Sequence, residues 1–357
     1  MPGNPLLKDE RDRRVGPKLG FMRGRLCIER GKLLRYLPKI PRFWFAAMVS
    51  LWAIAGSGAH GEAQLGKREL VLQRLSQDDL RVGSLGFRLT TANAKRCAKQ
   101  VPATGLILHS IDQFHGVWRD AAVRLYGPIG GVSVAGVVGH SPSALAGIVP
   151  GDELIAVNGK RLDPGEIKGS GSTTRRDQAE EALISLPPQD AIQITVVRAG
   201  KARDFVLRPV PACRARFEVV SGSARFARTD GRLVQLGQAL VGSLSDEDIA
   251  FVLSHELAHS ILEHRAQLAP WEQQGRSGVA AKKRFALARE FEDQADRLSV
   301  RLLAAAGFDP WAAPRFMRRF GKGVDKPESG SRVHRPAPER AKLMELEIAR
   351  LASDHAQ

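Results

Sequence analysis

Aromatic residues make up only 6% of this 357-residue chain, tyrosine occurs twice and cysteine three times. Proteins that hold single-stranded nucleic acids stack bases on aromatic side chains along a basic groove. The scarcity of aromatics therefore counts against that function, although the formal net charge is +16. The charge is also poorly placed for it, because residues 1–42 hold twelve Lys/Arg against four Asp/Glu and so carry half of the excess. No nucleic-acid partner is expected. No Cys-x-x-Cys pair is present, so redox and haem chemistry lack their ligands. A nucleophile elbow of the Gly-x-Ser-x-Gly kind is missing as well, since Gly169-Ser170-Gly171-Ser172 sits in a linker-like stretch.

The chain also lacks a comfortable membrane span of about 20 apolar residues. Phe43 to Ala55 is uncharged and apolar but shorter, with basic residues before it and small residues after it. That is the layout of a secretory signal peptide, with cleavage expected after Ala59 or Ala63 and Met22 as an alternative start. Residues 1–63 thus read as a leader that sends the protein across an inner membrane, most simply to the periplasm. The alternative is an uncleaved inner-membrane signal anchor, the one route to membrane association. Cys27 lies upstream of the apolar run, not at a lipoprotein junction. Cys97 and Cys213 remain beyond the leader; they are expected either to form a disulfide joining the segments that flank the middle region, or to be two buried thiols.

What is present is a concentration of metal-binding side chains. Ser254-His255-Glu256-Leu257-Ala258-His259 follows a capping box, Ser245 with Asp248, on a helix whose buried face is Ile249, Val252, Leu253, Leu257 and Ile261. Residues four apart lie one turn above each other, so His255 and His259 can share one tetrahedral ion, and imidazole with carboxylate suits zinc. Glu256 is turned toward the open side of such an ion, where it can take a proton from an activated water. Downstream, Glu292 and Asp296 are again four apart. Glu292 is the candidate third ligand, and Asp296 the acceptor that fixes the tautomer of a ligating histidine. A three-histidine ligand pattern fails, because Leu262 and Arg265 stand where Gly and His would be; His264 is expected to be an ordinary surface residue.

The ordered set His255-Glu256-x-x-His259, Glu292-x-x-Ala295-Asp296, Ala306-Gly307-Phe308-Asp309-Pro310, His334 and Arg340 resembles the CaaX-prenyl-protease and HtpX-like family of gluzincin metallopeptidases over about residues 213–350. The resemblance implies one zinc per chain held by His255, His259 and Glu292, with Glu256 as the base and Asp296 behind the ligands. It further implies that His334 steadies the oxyanion and that Arg340 is a positioning residue. Two departures stand out: Arg335 intervenes between His334 and Pro336, and Ser299 replaces a common Gly.

The middle of the chain has a different texture. Val132 to Val138 reads as a strand, Ser141 to Gly147 as a short helix and Glu153 to Val157 as a strand closed by Asn158-Gly159, a strong hairpin signal. A helix over 177–186 and a hairpin of Ile192–Arg198 with Arg203–Leu207 follow. This order resembles a circularly permuted, bacterial PDZ domain, which would bind polypeptide substrates by their C-terminal tails as an added strand. The groove is expected between the strand after Gly130-Gly131 and helix 177–186, with those glycines either admitting a carboxylate or marking a turn.

Earlier still, Leu85 to Thr91 reads as an alternating strand and Gln113 to Leu125 as an amphipathic helix, while His109, Asp112 and His115 are expected on the surface. Two or three short strands are expected in 217–242, one of them an edge that could hold substrate. The whole is expected to be an α+β chain: leader 1–63; N-terminal part of the peptidase 64–125; PDZ domain, β-barrel-like and inserted, 126–209; and a mainly helical zincin-type metallopeptidase domain with a small β-sheet, 210–357. The function expected is zinc-dependent endopeptidase action in envelope quality control; the alternative is a latent or non-proteolytic peptide-binding factor.

Overall fold

The computed structural model describes residues 66–127, 130–163, 171–273, 278–324 and 334–354. The expected leader and its apolar run lie outside them. The strand expected over 85–91 is instead part of a long helix, α1 (Lys67–Ala92). Packing overrides the alternation of Leu85, Phe87 and Leu89. Gly83 and Gly86 fall on the buried face with Val82 and Leu89, where a Cβ would come within 2.5 Å of Ile107 and 2.3 Å of Phe217 respectively. Each glycine costs a helix about 0.8–1.0 kcal/mol relative to alanine, and the close approach of two flanking strands offsets that cost.

From α1 the chain runs through β1 (Gln100–Ala103) and β2 (Leu106–Ser110), then α2 (Val117–Tyr126) and β3 (Val132–Val137). A short helix α3 (Pro142–Ala146) precedes β4 (Glu153–Val157) and β5 (Lys160–Arg161), followed by α4 (Thr174–Ile184), β6 (Ile192–Arg198) and β7 (Lys201–Leu207). Both predicted hairpins turn on positive-φ pairs, Asn158-Gly159 at 46° and 74° and Ala199-Gly200 at 50° and 74°, the geometry a tight two-residue turn requires. The helix expected from Gln113 starts later, after a 3-10 turn over Ile111–Gln113. β8 (Val210–Cys213) then returns antiparallel to β1, with Gln100 opposite Cys213. Beside this pair Cys97 and Cys213 are joined as a disulfide, their Cα atoms 5.4 Å apart.

Beyond the neck come β9 (Arg216–Val220), β10 (Ala227–Thr229), β11 (Leu233–Gly237) and the single turn α5 (Gln238–Val241). The remaining helices are α6 (Asp246–Ile261), α7 (His264–Gln273), α8 (Gly278–Ala305), α9 (Ala312–Val324) and α10 (Ala337–Asp354). Ser245 and Asp248 cap α6 reciprocally, each side chain meeting the other's backbone N–H. Two cores result. One joins α1, α6, α8, α9 and α10 with a small sheet of order β10-β11-β9, in which β11 is antiparallel to β10 and parallel to β9. The other lies inside a six-stranded antiparallel sheet of order β2-β3-β4-β6-β7, with β5 on β4, closed by α4. None of the helices described is long and apolar enough to cross a membrane.

That sheet starts earlier than expected. β2 pairs with β3 from Leu106 opposite Val137 to Ser110 opposite Val132, so the module reaches back past the expected boundary at residue 126. The same pairing leaves no free strand edge where the groove was expected. β3, the strand after Gly130-Gly131, has β2 on one side and β4 on the other and offers no free edge. Those glycines lie beside the Glu153 carboxylate, and the Gly130 carbonyl accepts a hydrogen bond from Arg175. The outer edge of β2, five residues too short to stand out by periodicity, is the edge that borders α4.

Candidate metal centre

α6 and α8 pack through small buried residues, Ala258 on one and Ala295 on the other, in the same core. This close packing brings two helical pairs, each spaced by four, to face each other. His255 Nε2 lies 3.1 Å from His259 Nε2 and 3.3 Å from Glu292 Oε2, and His259 Nε2 lies 3.6 Å from Glu292 Oε1. A zinc ion with tetrahedral ligands at 2.0–2.1 Å has ligand-to-ligand edges of about 3.3 Å. Among the described residues this is the one group of three such donors within 4.8 Å of one another. The donor set therefore fits zinc.

Behind the donors, partners set which nitrogen carries a proton. Asp296, fully buried, stands 3.1 Å from His255 Nδ1 and receives two bonds of 2.7 Å from the Arg340 guanidinium. With its Nδ1–H turned to that carboxylate, His255 keeps Nε2 as the nitrogen that would face a bound ion. His259 has a different support that the sequence reading missed. His264, expected on the surface, is only 2% exposed. Its ring stacks on Phe291 at 4.1 Å with 4° between planes, and its Nδ1 is 2.9 Å from His259 Nδ1. The Gln294 amide fixes the direction of this contact. Its NH2 donates to Glu290, so its oxygen accepts from His264 Nε2–H at 3.1 Å. Burial holds His264 below the usual histidine range and hence neutral, leaving Nδ1 to accept from His259 Nδ1–H. His259 Nε2 is then a lone pair. The available signal was position: Leu262-Glu263 ends α6, Glu263 takes a positive φ of 52°, and the next residue is turned back over the helix.

The charges in the centre are strongly perturbed. Burial would lower His255, but the contacts with Asp296 and Glu292 outweigh it and raise its pKa. Burial and then the neighbouring His255 lower His259. Glu292 is pulled well below the carboxylate range in spite of burial, by His255 and His334. Glu256, one residue along α6, is pushed up by burial and by the Glu292 charge. His334 Nε2 reaches Glu292 Oε2 at 3.0 Å. Arg335, the residue that departs from the pattern the sequence resembles, places its Nε 2.8 and 2.9 Å from the two Asp293 oxygens and so ties the start of α10 to α8. Ser299, the other departure, is buried and donates to the Asp296 carbonyl at 2.7 Å.

Edge strand β10 borders α6, with Thr229 Oγ1 3.4 Å from Ser260 Oγ beside His259. Two residues expected on the surface are buried instead. His109 contacts Ser133 at 3.3 Å and packs edge-on against Tyr126, and Asp112 pairs with Arg175 at 3.3 Å; both brace the sheet.

Neither a protein-family model nor a curated protein sequence matches the chain. Among solved structures it is similar to an HtrA-type protease, AlgW, with a decapeptide, at 21% identity and a TM-score of 0.23, over 31% of this chain and 30% of that one.

Proposed function

We propose that the protein is a zinc-dependent endopeptidase of the HtpX-like kind, exported to the periplasm, whose six-stranded module is PDZ-like and receives polypeptide tails. The observation that carries the reading is the convergence of His255 Nε2, His259 Nε2 and Glu292 at tetrahedral spacings beside a buried carboxylate of raised pKa. Zinc bound to this set supplies Lewis acidity and brings water toward hydroxide near neutral pH.

The chain's own residues do the rest. Glu256, its pKa raised by burial, accepts the proton of the attacking water and returns it to the leaving amine. His334 Nε2–H, on the same side as Glu292, donates to the carbonyl oxygen as it gains charge. Arg340 keeps Asp296 ionised, and Asp296 keeps His255 in the ligating tautomer. β10 offers an edge for an antiparallel substrate backbone. Export is supported by the leader-like N-terminus and by the Cys97–Cys213 bond, since disulfides persist in oxidising compartments.

Zinc content and casein hydrolysis of the wild type and Glu256→Gln test this. Both should hold one zinc, and the variant should lose about 10²–10⁴-fold in rate. Two zinc-loaded proteins that both fail to cleave would favour the latent peptide-binding factor, and two proteins without zinc would remove the reading altogether.

A further inference from the structure

A cavity of about 850 Å³ opens between the outer edge of β2, α4, the buried side of α1 and β9. β2 ends its sheet, and no described strand pairs with its outer edge. A row of free backbone groups along such an edge accepts an added strand. Apolar side chains from the flanking elements, among them Val71, Leu75, Phe87, Leu183 and Ile184, line much of the wall.

The polar part of that wall is unbalanced. Asp79 from α1, Glu180 from α4 and Glu218 from β9 line the cavity with only two guanidiniums, Arg176 and Arg216. Arg176 is 3.0 Å from Glu218 and 4.0 Å from Glu180, and Arg216 is 2.7 Å from Glu180. Both arginines are shared with a fourth carboxylate, Asp177, at 2.8 and 2.9 Å. Asp79 has no ion pair among the described residues; it accepts from the Val219 N–H at 2.7 Å, and Arg176 offsets part of the cost of its burial. Burial first, and the neighbouring carboxylates after it, push Asp79 and Glu180 each up to about 7. A divalent metal is not the missing cation. The only described residues that bring three such donors within 4.8 Å are His255, His259 and Glu292, so these carboxylates are spread too widely for one ion. A cation on a long flexible arm suits the spacing.

Resting on the PDZ-like reading above, we propose that the cavity seats an extended polypeptide strand along β2 and selects a lysine or arginine side chain, held by Asp79, Glu180 and Glu218. The site is composite. One wall belongs to the six-stranded module and the other to α1 and β9 of the peptidase half, so neither half alone makes the selection. Moving a cation out of water is favourable only where several acceptors receive it, and the surplus of carboxylates meets that requirement. An acidic side chain at the same place meets like charge, which costs several kcal/mol when desolvated.

The test uses full-length Glu256→Gln, so that peptides are not cut, and fluorescein-labelled hexapeptides carrying Lys, Arg, Ala or Glu at each position, with free and amidated C-termini. Lys or Arg at one position should bind about tenfold or more tighter than Glu, a difference of charge complementarity. Asp79→Asn, which keeps an acceptor for the Val219 N–H, should shrink the ratio, and Asp79→Asn with Glu180→Gln should abolish it, circular dichroism confirming the fold. Hydrogen exchange should slow over 106–110 on binding. Equal affinity for the Lys and Glu peptides, a preference that survives in the double variant, or protection only elsewhere would each overturn the proposal. Binding is read without cleavage, so a failed peptidase reading leaves this outcome separate.

Discussion

Asp296 and Asp79 are aspartates taken out of water in the same molecule, and their acidities move in opposite directions. Asp296 is fully buried yet held below the usual range, because the Arg340 guanidinium and the His255 ring more than repay its desolvation. Asp79 is partly buried, accepts from a backbone N–H, and is pushed up to about 7. Burial has the same sign in both; the partners decide the outcome. The lesson extends to the regions around them. The α6–α8–α10 centre is closed on itself, each donor oriented by a neighbour, whereas the cavity under β2 is short of positive charge and open to a partner that brings it.

The most damaging way to break the comparison is to remove Arg340. Arg340→Ala strands the Asp296 charge in the core and should cost about 3–5 kcal/mol in urea unfolding of the chelator-treated protein; a loss below about 1 kcal/mol would mean that Asp296 does not depend on its partner. Next in size is the link between the two regions. Cys97→Ser with Cys213→Ser should lower stability by about 2–5 kcal/mol, and a single unfolding transition that splits in two would show that the bond couples the halves.

His264 sharpens the contrast on the metal side. His264→Ala removes the acceptor for His259 Nδ1–H, and zinc affinity, followed by competition with a chromophoric chelator, should weaken about 10–100-fold. An unchanged affinity would reduce His264 to a packing residue. The smallest effect belongs to Asp79. Its folded pKa of about 7 lies above an unfolded value of about 3.9. The native state thus holds the proton that the unfolded chain has lost, and wild-type stability should fall as pH rises from about 4 through 7. Asp79→Asn should flatten that slope and be the more stable protein at pH 8; discounted for screening by solvent at this partly exposed site, the gain is on the order of 1 kcal/mol by urea unfolding. For Asp296 the sign is reversed: its contribution is complete above the unfolded pKa and is lost as pH falls through the lowered folded one. A stability-versus-pH slope left unchanged by Asp79→Asn would erase the distinction.

The parts of this arrangement that could be read from sequence are those written locally. Ser245 and Asp248 announced the start of α6, spacings of four put His255 with His259 and Glu292 with Asp296 on shared helix faces, and Asn158-Gly159 announced its hairpin. The parts that escaped depend on residues remote in the chain. Leu85 to Thr91 alternates like a strand, and it is the packing of α1 against α2, α6, β8 and β9 that holds it helical. β2 is separated from its partner β3 by α2, which hid both the start of the sheet and the edge that remains free. His264 looked like a surface residue because Phe291 and Gln294, which enclose it, lie about thirty positions on.

The two-strand neck of β1 and β8 also bears on how the chain reaches this state. Contacts of α1 with β9, such as Asp79 with the Val219 N–H, span 140 positions, and contacts at such separations slow a folding search. The antiparallel sheet between them is largely built from neighbouring strands, and once formed it delivers Gln100 and Cys213 side by side. Closing a long open loop then reduces to closing a short one. On this route the six-stranded module would assemble first and α1 dock on β9 late, so destabilising the β6–β7 hairpin should retard assembly of the distant helices α6 and α8 without touching any of their residues.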